Sequence, residues 1–376
     1  VVSSSSSSFF TIIILIISLR SFPRAHPPIH KKMSTGIVCE GLSKSAAEGI
    51  AATQLRKLPK KETLTANEIR ISVRAASLNF PDLLMLQGKY QFRPQLPFVL
   101  LTEGAGVVLE VGSSVSNFKV GQRVGFGGMT GCGQEEVVVA EKSCFPIPST
   151  LSFSQGAGFN VGYCTGYHAL VHRGKIQPGE WLLVTGAGGG MGLMAVELGK
   201  ALGARVIAAA SSDEKLEICK KVGADFVVNY SKEDMKEAVG KITNGDFCDV
   251  IYEPVGGKIF DQCVRCVAPR GYARLLVVGF ASGTLPKLPA NMALIKGFSL
   301  VGVRMGEQVG MQPHLKEEML RELLKLSEAG KLSPYVCAEY PLERYREALT
   351  LMEQKQVVGK CCITFNNNDG SSSSKL

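Results

Sequence analysis

Hydrophobic and polar positions change their rhythm near Ser154. Before it, apolar residues come in short runs separated by turn residues. Ile69-Arg70-Ile71-Ser72-Val73-Arg74-Ala75 alternates as a half-buried strand should. Segment 104–112 is an apolar run bracketed by glycines, 120–125 reads as a turn leading into a strand, and 135–140 as a further strand. This part is predicted to be β-rich, with few long helices. Beyond Ser154, continuous apolar runs alternate with helical patterns: strand 181–185, helix 191–202, strand 205–210, helix 213–221 and strand 226–229. Further strands are expected at 249–252 and 275–279. Strands without a polar face need cover on both sides, which predicts a parallel sheet between layers of helices. Near Arg304 the chain is expected to return to the first domain, with a helix over 317–329 and a last strand ending at Phe365. The expected divisions are 1–32, 33–155, 156–303, 304–366 and 367–376.

The 376 residues suffice for two domains, and 45% hydrophobic with 20% charged residues fits a globular chain rather than a disordered or fibrous one. The formal net charge of +9 is uneven. Arg20, Arg24, Lys31 and Lys32 lie in a leading segment that holds no acid, whereas later Lys and Arg alternate with Asp and Glu. No clustered basic face for nucleic acid is expected, and an anionic cofactor or substrate suits the balance better. The 11 cysteines are scattered, apart from Cys263 and Cys266 and the adjacent Cys361-Cys362, and the odd count argues for a reducing compartment. Cys263 and Cys266 read as packed side chains of a helix, because no second pair stands at zinc-like spacing.

Segment 1–32 is expected to lie outside the fold, as translated upstream sequence or a leader. It begins with Val1, while Met33 offers a plausible start. Its apolar run from Phe9 to Ile17 falls short of the ~20 residues that span a bilayer, so no membrane span is expected. No basic residue precedes the run and no clear small-residue cleavage site follows it, unlike a secretory signal. Segment 367–376 reads as a flexible tail ending Ser374-Lys375-Leu376, a receptor-read peroxisomal address. A peroxisomal location and contact with the import receptor are expected, with the cytoplasm as the alternative.

Val184-Thr185-Gly186-Ala187-Gly188-Gly189-Gly190-Met191-Gly192 follows a strand and opens a helix, the setting of a dinucleotide loop. Small residues let backbone approach a pyrophosphate, and the helix start offers free N–H groups. Ala187, Gly189 and Gly192 take the positions of the usual glycine register, and Gly190 and Met191 complete the loop. The next strand ends Ala210-Ser211-Ser212, with Lys215 close behind and no carboxylate at its tip. A ribose 2′-phosphate suits these groups better than a bare 2′-hydroxyl, so NADPH is expected. Asp213 and Glu214 are read as the start of a helix.

Ala76-Ser77-Leu78-Asn79-Phe80-Pro81-Asp82, Gln87-Gly88-Lys89-Tyr90, Pro97-Phe98 and Glu103-Gly104-Ala105-Gly106 carry a wider resemblance, together with Gln177-Pro178-Gly179-Glu180, Val228-Asn229-Tyr230 and Tyr252-Glu253-Pro254-Val255-Gly256-Gly257. Over about 65–365 the chain resembles quinone oxidoreductases and zeta-crystallin, a zinc-free branch of the medium-chain dehydrogenase/reductase family. The resemblance implies an α/β fold: a GroES-like β-rich catalytic domain (33–155 and 304–366) and a Rossmann doubly wound parallel-sheet domain (156–303) for NADPH. Zinc-dependent members need Cys, His and a further Cys or Asp around an open metal position. Here Asn79 and Phe80, Thr102, and a residue near Val161 fall at those places, and only Cys132 and Cys144 lie where a four-cysteine lobe would be. No metal is expected. His168 and His172, spaced by four, read as packing or surface residues.

The resemblance further implies that Asn79 lies beside the nicotinamide and that Tyr90 lies on the substrate side, where a phenol can hydrogen-bond a developing enolate oxygen. It places Lys215 and Tyr230 near the 2′-phosphate and Gly279 near the nicotinamide, and Thr165 is assigned to the cofactor. Arg304 is a candidate for the cleft. Leu100-Leu101-Thr102-Glu103 replaces the usual glycine-led approach to the glutamate. Three readings follow: hydride transfer from NADPH to a quinone; reduction of an enone, alkenal or enoyl-CoA double bond; and a non-enzymatic, NADPH-binding, crystallin-like role. A homodimer is expected by family analogy.

Overall fold

The computed structural model describes residues 33–366; the expectations for 1–32 and 367–376, with the terminal Ser374-Lys375-Leu376, lie outside the described residues. The first elements are β1 (Met33–Cys39), α1 (Ala46–Ala52), β2 (Gln54–Pro59), β3 (Glu68–Ser77), α2 (Phe80–Leu86) and β4 (Phe98–Val99). They continue with β5 (Glu103–Val111), β6 (Arg123–Gly127), β7 (Glu136–Ala140), β8 (Cys144–Pro146), α3 (Phe153–Ala157) and α4 (Phe159–Tyr167), which runs into a π-helix at His168–Arg173. Strictly alternating strands and helices follow: β9 (Trp181–Thr185), α5 (Gly190–Ala201), β10 (Arg205–Ala210), α6 (Asp213–Lys221), β11 (Phe226–Asn229) and α7 (Met235–Ile242). The series ends with β12 (Val250–Glu253), α8 (Gly257–Arg265), β13 (Arg274–Val277), α9 (Ala290–Lys296) and β14 (Ser299–Gly302). The last elements are α10 (Met305–Met311), α11 (His314–Glu328), β15 (Val336–Pro341), α12 (Tyr345–Glu353) and β16 (Lys360–Thr364).

β9 to β14 form a six-stranded sheet in the order β11-β10-β9-β12-β13-β14, all parallel. Every residue of β9 is buried, as expected of a central strand covered on both faces. The order reverses between β9 and β12, and in such sheets ligands bind at the carboxyl ends of the strands beside that switch point. α5 packs on the sheet so closely that a Cβ at Gly199 would stand 2.4 Å from Leu182 Cδ2.

β3, β5, β6, β8, β15 and β16 form the main path of a second, seven-stranded sheet, and β7 pairs with β3. The last strand thus closes the β-rich part, although β15 and β16 lie far along the chain from β3. In chain order α10 and α11 stand between β14 and β15. α11 buries Met319, Leu320 and Leu323 in the core cluster that also holds residues of α4 and α5. A small sheet, β2-β1-β4, completes the β-rich part. Among the described residues no helix is long and apolar enough to cross a membrane.

Candidate active site

The loop after β9 is shaped by lack of room. Gly186 has φ +56°, in the left-handed region that favours glycine. A Cβ at Gly192 would lie 2.3 Å from Gly186 O, and one at Gly188 would lie 2.7 Å from Lys215 Cβ. Ala187 N donates to Ala209 O at 3.0 Å, which ties the loop to β10. Gly189 is the N-cap of α5 and has no side chain to cap it, so the helix start keeps its N–H groups for an anion. Gly190, Met191 and Gly192 are the first residues of that helix. Loop, helix and close approach together fit the pyrophosphate of a dinucleotide.

At the end of β10, Ser211 is exposed and Ser212 is the N-cap of α6. Lys215 lies against Gly188 and its Nζ donates to Lys355 O at 3.3 Å. Tyr230, half-buried, hydrogen-bonds Ser211; burial raises its phenol above the ordinary range and that bond opposes the rise. Asp213 is turned away from this cluster: its carboxylate accepts from Asn229 Nδ2 at 2.6 Å and pairs with Lys232 Nζ at 2.5 Å. At the switch point, the buried Glu253 accepts from Val255 N (2.7 Å) and Gly256 N (2.8 Å), and Thr185 Oγ1 stands 3.4 Å away. Gly279 packs beside this turn, where a Cβ would lie 3.2 Å from Pro254 O.

The β-rich part contributes a buried polar network. Asn79 caps α2, and its backbone N donates to Asp82 Oδ2 at 2.7 Å. Its Nδ2 donates to Glu103 Oε1 (2.9 Å) and Thr102 Oγ1 (3.2 Å). Its Oδ1 accepts from Lys360 Nζ at 2.8 Å. That ammonium also donates to Glu103 Oε1 at 2.8 Å and Leu78 O at 3.3 Å. Glu103 Oε2 accepts from Val161 N (2.9 Å), near the start of α4, the helix that carries the half-buried Thr165. Asp82, Glu103 and Lys360 are 0%, 0% and 4% exposed. Burial pushes the Asp82 carboxyl up to about 7; Glu103 adds to the rise, while the Asn79 N–H and Lys360 oppose it. Tyr90 is half-buried and makes no hydrogen bond with Asn79; burial and the Asp82 charge raise its phenol, and Arg304 opposes them.

One short segment joins the two sides. Gly359 N donates to Gly188 O at 2.9 Å, and Gly359 bridges Gly189 in parallel pairing. The stem of the next residue, Lys360, runs under the loop, 3.1 Å from where Gly190 would place a Cβ.

Two family models match the chain: the alcohol dehydrogenase GroES-like domain over residues 65–149 and the zinc-binding dehydrogenase domain over 190–326. The quinone oxidoreductase-like protein 2 homolog of Nematostella vectensis is 41% identical over 305 residues, covering 80% of this chain and 83% of that protein. The chain belongs to the quinone oxidoreductase family of medium-chain dehydrogenases/reductases. Quinone oxidoreductase-like protein 2 of Bos taurus is 38% identical, over 80% of this chain and 85% of its own. The Escherichia coli quinone oxidoreductase, solved in complex with NADPH, superposes with a TM-score of 0.77 at 27% identity, covering 88% of this chain and 99% of that one. The two sheets described above accord with the family's GroES-like and Rossmann domains.

A zinc ion does not fit the side chains that stand here at the ligand places of zinc-dependent members. Asn79 donates to both Thr102 and Glu103, and the Val161 backbone N–H donates to Glu103; an amide, a hydroxyl and an aliphatic side chain are poor ligands for zinc. Among the described residues no three His, Cys, Asp or Glu side chains are grouped to hold a metal ion. His168 and His172 do meet, Nδ1 to Nδ1 at 3.3 Å, but Glu318 approaches the opposite nitrogen of His172, at 3.5 Å. The roles of Asp82, Gly359 and Lys360 were not legible as site features. The available signal was a glycine and a lysine heading an otherwise apolar strand, Gly359-Lys360-Cys361-Cys362-Ile363.

Asp82 makes a measurable contribution to pH dependence. Between the ordinary carboxyl range near ~4 and its folded value, the folded protein holds a proton that the unfolded chain has released. Stability therefore declines as pH rises through that window. Glu197, half-buried against Tyr163 and also raised to about 7, adds to the same slope. Denaturant unfolding of Asp82→Asn at pH 5 and pH 8 is expected to show a smaller loss than wild type, by on the order of 2 kcal/mol. An unchanged slope would remove Asp82 from the account.

Proposed function

We propose that this protein is an NADPH-dependent oxidoreductase that reduces a quinone or a similar conjugated carbonyl acceptor without zinc. The observation that carries the cofactor choice is the end of β10. Ser211, Ser212, Lys215 and Tyr230 gather there, and Asp213 is occupied by Asn229 and Lys232. A 2′-phosphate would meet hydroxyls and an ammonium, while the nearest carboxylate, Asp213, is held away from a ribose 2′-hydroxyl by its two partners. The quinone oxidoreductase relatives support the acceptor class.

NADPH, when bound, supplies the hydride. The chain's own residues bind, orient and exclude water. The start of α5 and the loop 186–192 take the pyrophosphate, Gly279 and Thr165 flank the nicotinamide end, and Asn79 is held rigidly beside it. In this reading the Tyr90 phenol, whose pKa is raised by burial and by the Asp82 charge, donates a hydrogen bond to the oxygen on which negative charge develops. An enone, alkenal or enoyl-CoA would use the same phenol, so acceptor identity is the question for experiment.

A homodimer is part of the proposal. β14 is the edge strand of the six-stranded sheet, with Leu300 46% exposed. Leu294 and Ile295 of the neighbouring α9 are 83% and 72% exposed. An apolar, unpaired edge of this kind invites pairing with a second copy. Localisation in the peroxisome, through the terminal Ser374-Lys375-Leu376, completes the reading.

Stopped-flow oxidation of NADPH by the protein from Met33 onward tests the activity, with a benzoquinone, an orthoquinone, a long-chain enal and trans-2-enoyl-CoA, and NADH as control. Turnover of quinones with NADPH in clear preference to NADH is expected. Turnover confined to the enal or enoyl-CoA moves the protein to the double-bond reductases, and tight NADPH binding without turnover supports a non-enzymatic role. Light scattering is expected to give a dimer that Leu294→Glu with Ile295→Glu converts to monomer; a monomeric wild type would sink the dimer. A fluorescent fusion is expected in peroxisomes and, lacking residues 374–376, in the cytoplasm; an unchanged distribution would refute the address.

A further inference from the structure

The buried network raises a question that the hydride chemistry leaves open. Asn79 faces Lys360, Thr102 and Glu103 at once, and all three of these contacts lie out of water. A buried ammonium is unfavourable unless every proton finds an acceptor. Lys360 has three: Asn79 Oδ1, Glu103 Oε1 and Leu78 O. Its stem is enclosed as well. A Cβ at Gly158 would come within 3.0 Å of Lys360 Cε, and one at Gly190 within 3.1 Å of Cδ. The amine therefore has one place to go.

That place is defined by the residues that stand at the expected metal-ligand positions. Asn79 and Thr102 are joined directly, and Val161 reaches the same cluster through Glu103. We propose that Lys360 is the positioning residue of this site: a fixed cation among the positions where zinc-dependent members carry ligands, which sets the Asn79 carboxamide from the side of the phosphate loop. One charge on a protein side chain there replaces the orienting part of a metal's role, though not its Lewis acidity. Gly359, paired with Gly188 and Gly189, puts the lysine backbone in register with the loop. The loop is thus held by the backbone of Gly359 and Asn79 by the side chain of its neighbour Lys360.

The inference rests on the oxidoreductase reading for its kinetic test, and on the ligand-free protein for its structural one. In Lys360→Met the apolar stem is kept and the ammonium is lost. In Lys360→Met with Glu103→Gln the remaining buried charge of that ion pair is removed too, which restores neutrality for folding. Both are expected to bind NADPH, followed by nicotinamide fluorescence, with the wild-type dissociation constant. Their kcat per folded site is expected to fall roughly ten- to a hundredfold, the scale of a misplaced orienting group. The crystal structure of the ligand-free double variant is expected to show the Asn79 carboxamide turned away from its wild-type position. Wild-type kcat, or kcat and NADPH affinity falling in parallel, overturns the proposal. So does an unmoved Asn79, or a double variant that fails to fold, which would make Lys360 a structural residue only. If the wild-type protein fails to oxidise NADPH with every acceptor of the panel, the oxidoreductase reading fails, and the ligand-free crystal structure still decides the role of Lys360.

Discussion

Three ionisable groups, Asp82, Glu103 and Lys360, lie out of water at the junction of the two parts of the chain, and their mutual compensation constrains what surrounds them. A lone charge in such a place would be untenable, whereas a paired and fully hydrogen-bonded one is tolerated. The ammonium of Lys360 satisfies Glu103 and Asn79, Glu103 in turn holds the start of α4, and Asp82 holds the Asn79 backbone. With Asp82 carrying a proton up to about 7, the cluster approaches neutrality at the lower end of the physiological range. Removal of Lys360 or Glu103 strands the other. This is why β16, distant in sequence, must arrive beside β3 and α2 for the cleft to form.

The phosphate loop depends on the same arrival. Gly188, Gly190 and Gly192 are small because Lys215, Lys360 and the loop's own backbone already fill the space a side chain would need. Close packing on one side leaves the helix start open on the other. The site therefore combines two opposite demands, dense contact beneath the loop and free N–H groups above it. Leu101 shows a related strain in the catalytic part. It stands in the approach to Glu103 with φ +70°, a conformation that costs a residue with a Cβ about 1–2 kcal/mol relative to the ordinary right-handed one. Its side chain, 1% exposed, is held by the surrounding core.

Much of this was legible in the sequence because it is local. The strand-loop-helix run 181–201 carries its own pattern, and the serines that close β10 follow directly from where an apolar strand stops. The fold class follows from the change of rhythm at Ser154, and the family resemblance draws attention to Asn79, which the buried network holds. What was not legible is long-range. Lys360 meets Asn79 across 281 residues of sequence, and a lysine at the head of a strand reads by default as a solvated charge. The engagement of Asp213 by Lys232 likewise depends on how β11 lies beside β10. The helix expected over 317–329 begins earlier, at His314 directly after Pro313, where proline's fixed φ suits a helix start.

The central claim is that orientation by side chains, without a metal, is enough for this site to work with NADPH. The direct measurement is the initial rate of NADPH oxidation with a benzoquinone, before and after exhaustive chelation, with the metal content of each sample assayed. The account predicts the same kcat in both samples and no gain when zinc is added back. Activity that disappears on chelation and returns with zinc would contradict it.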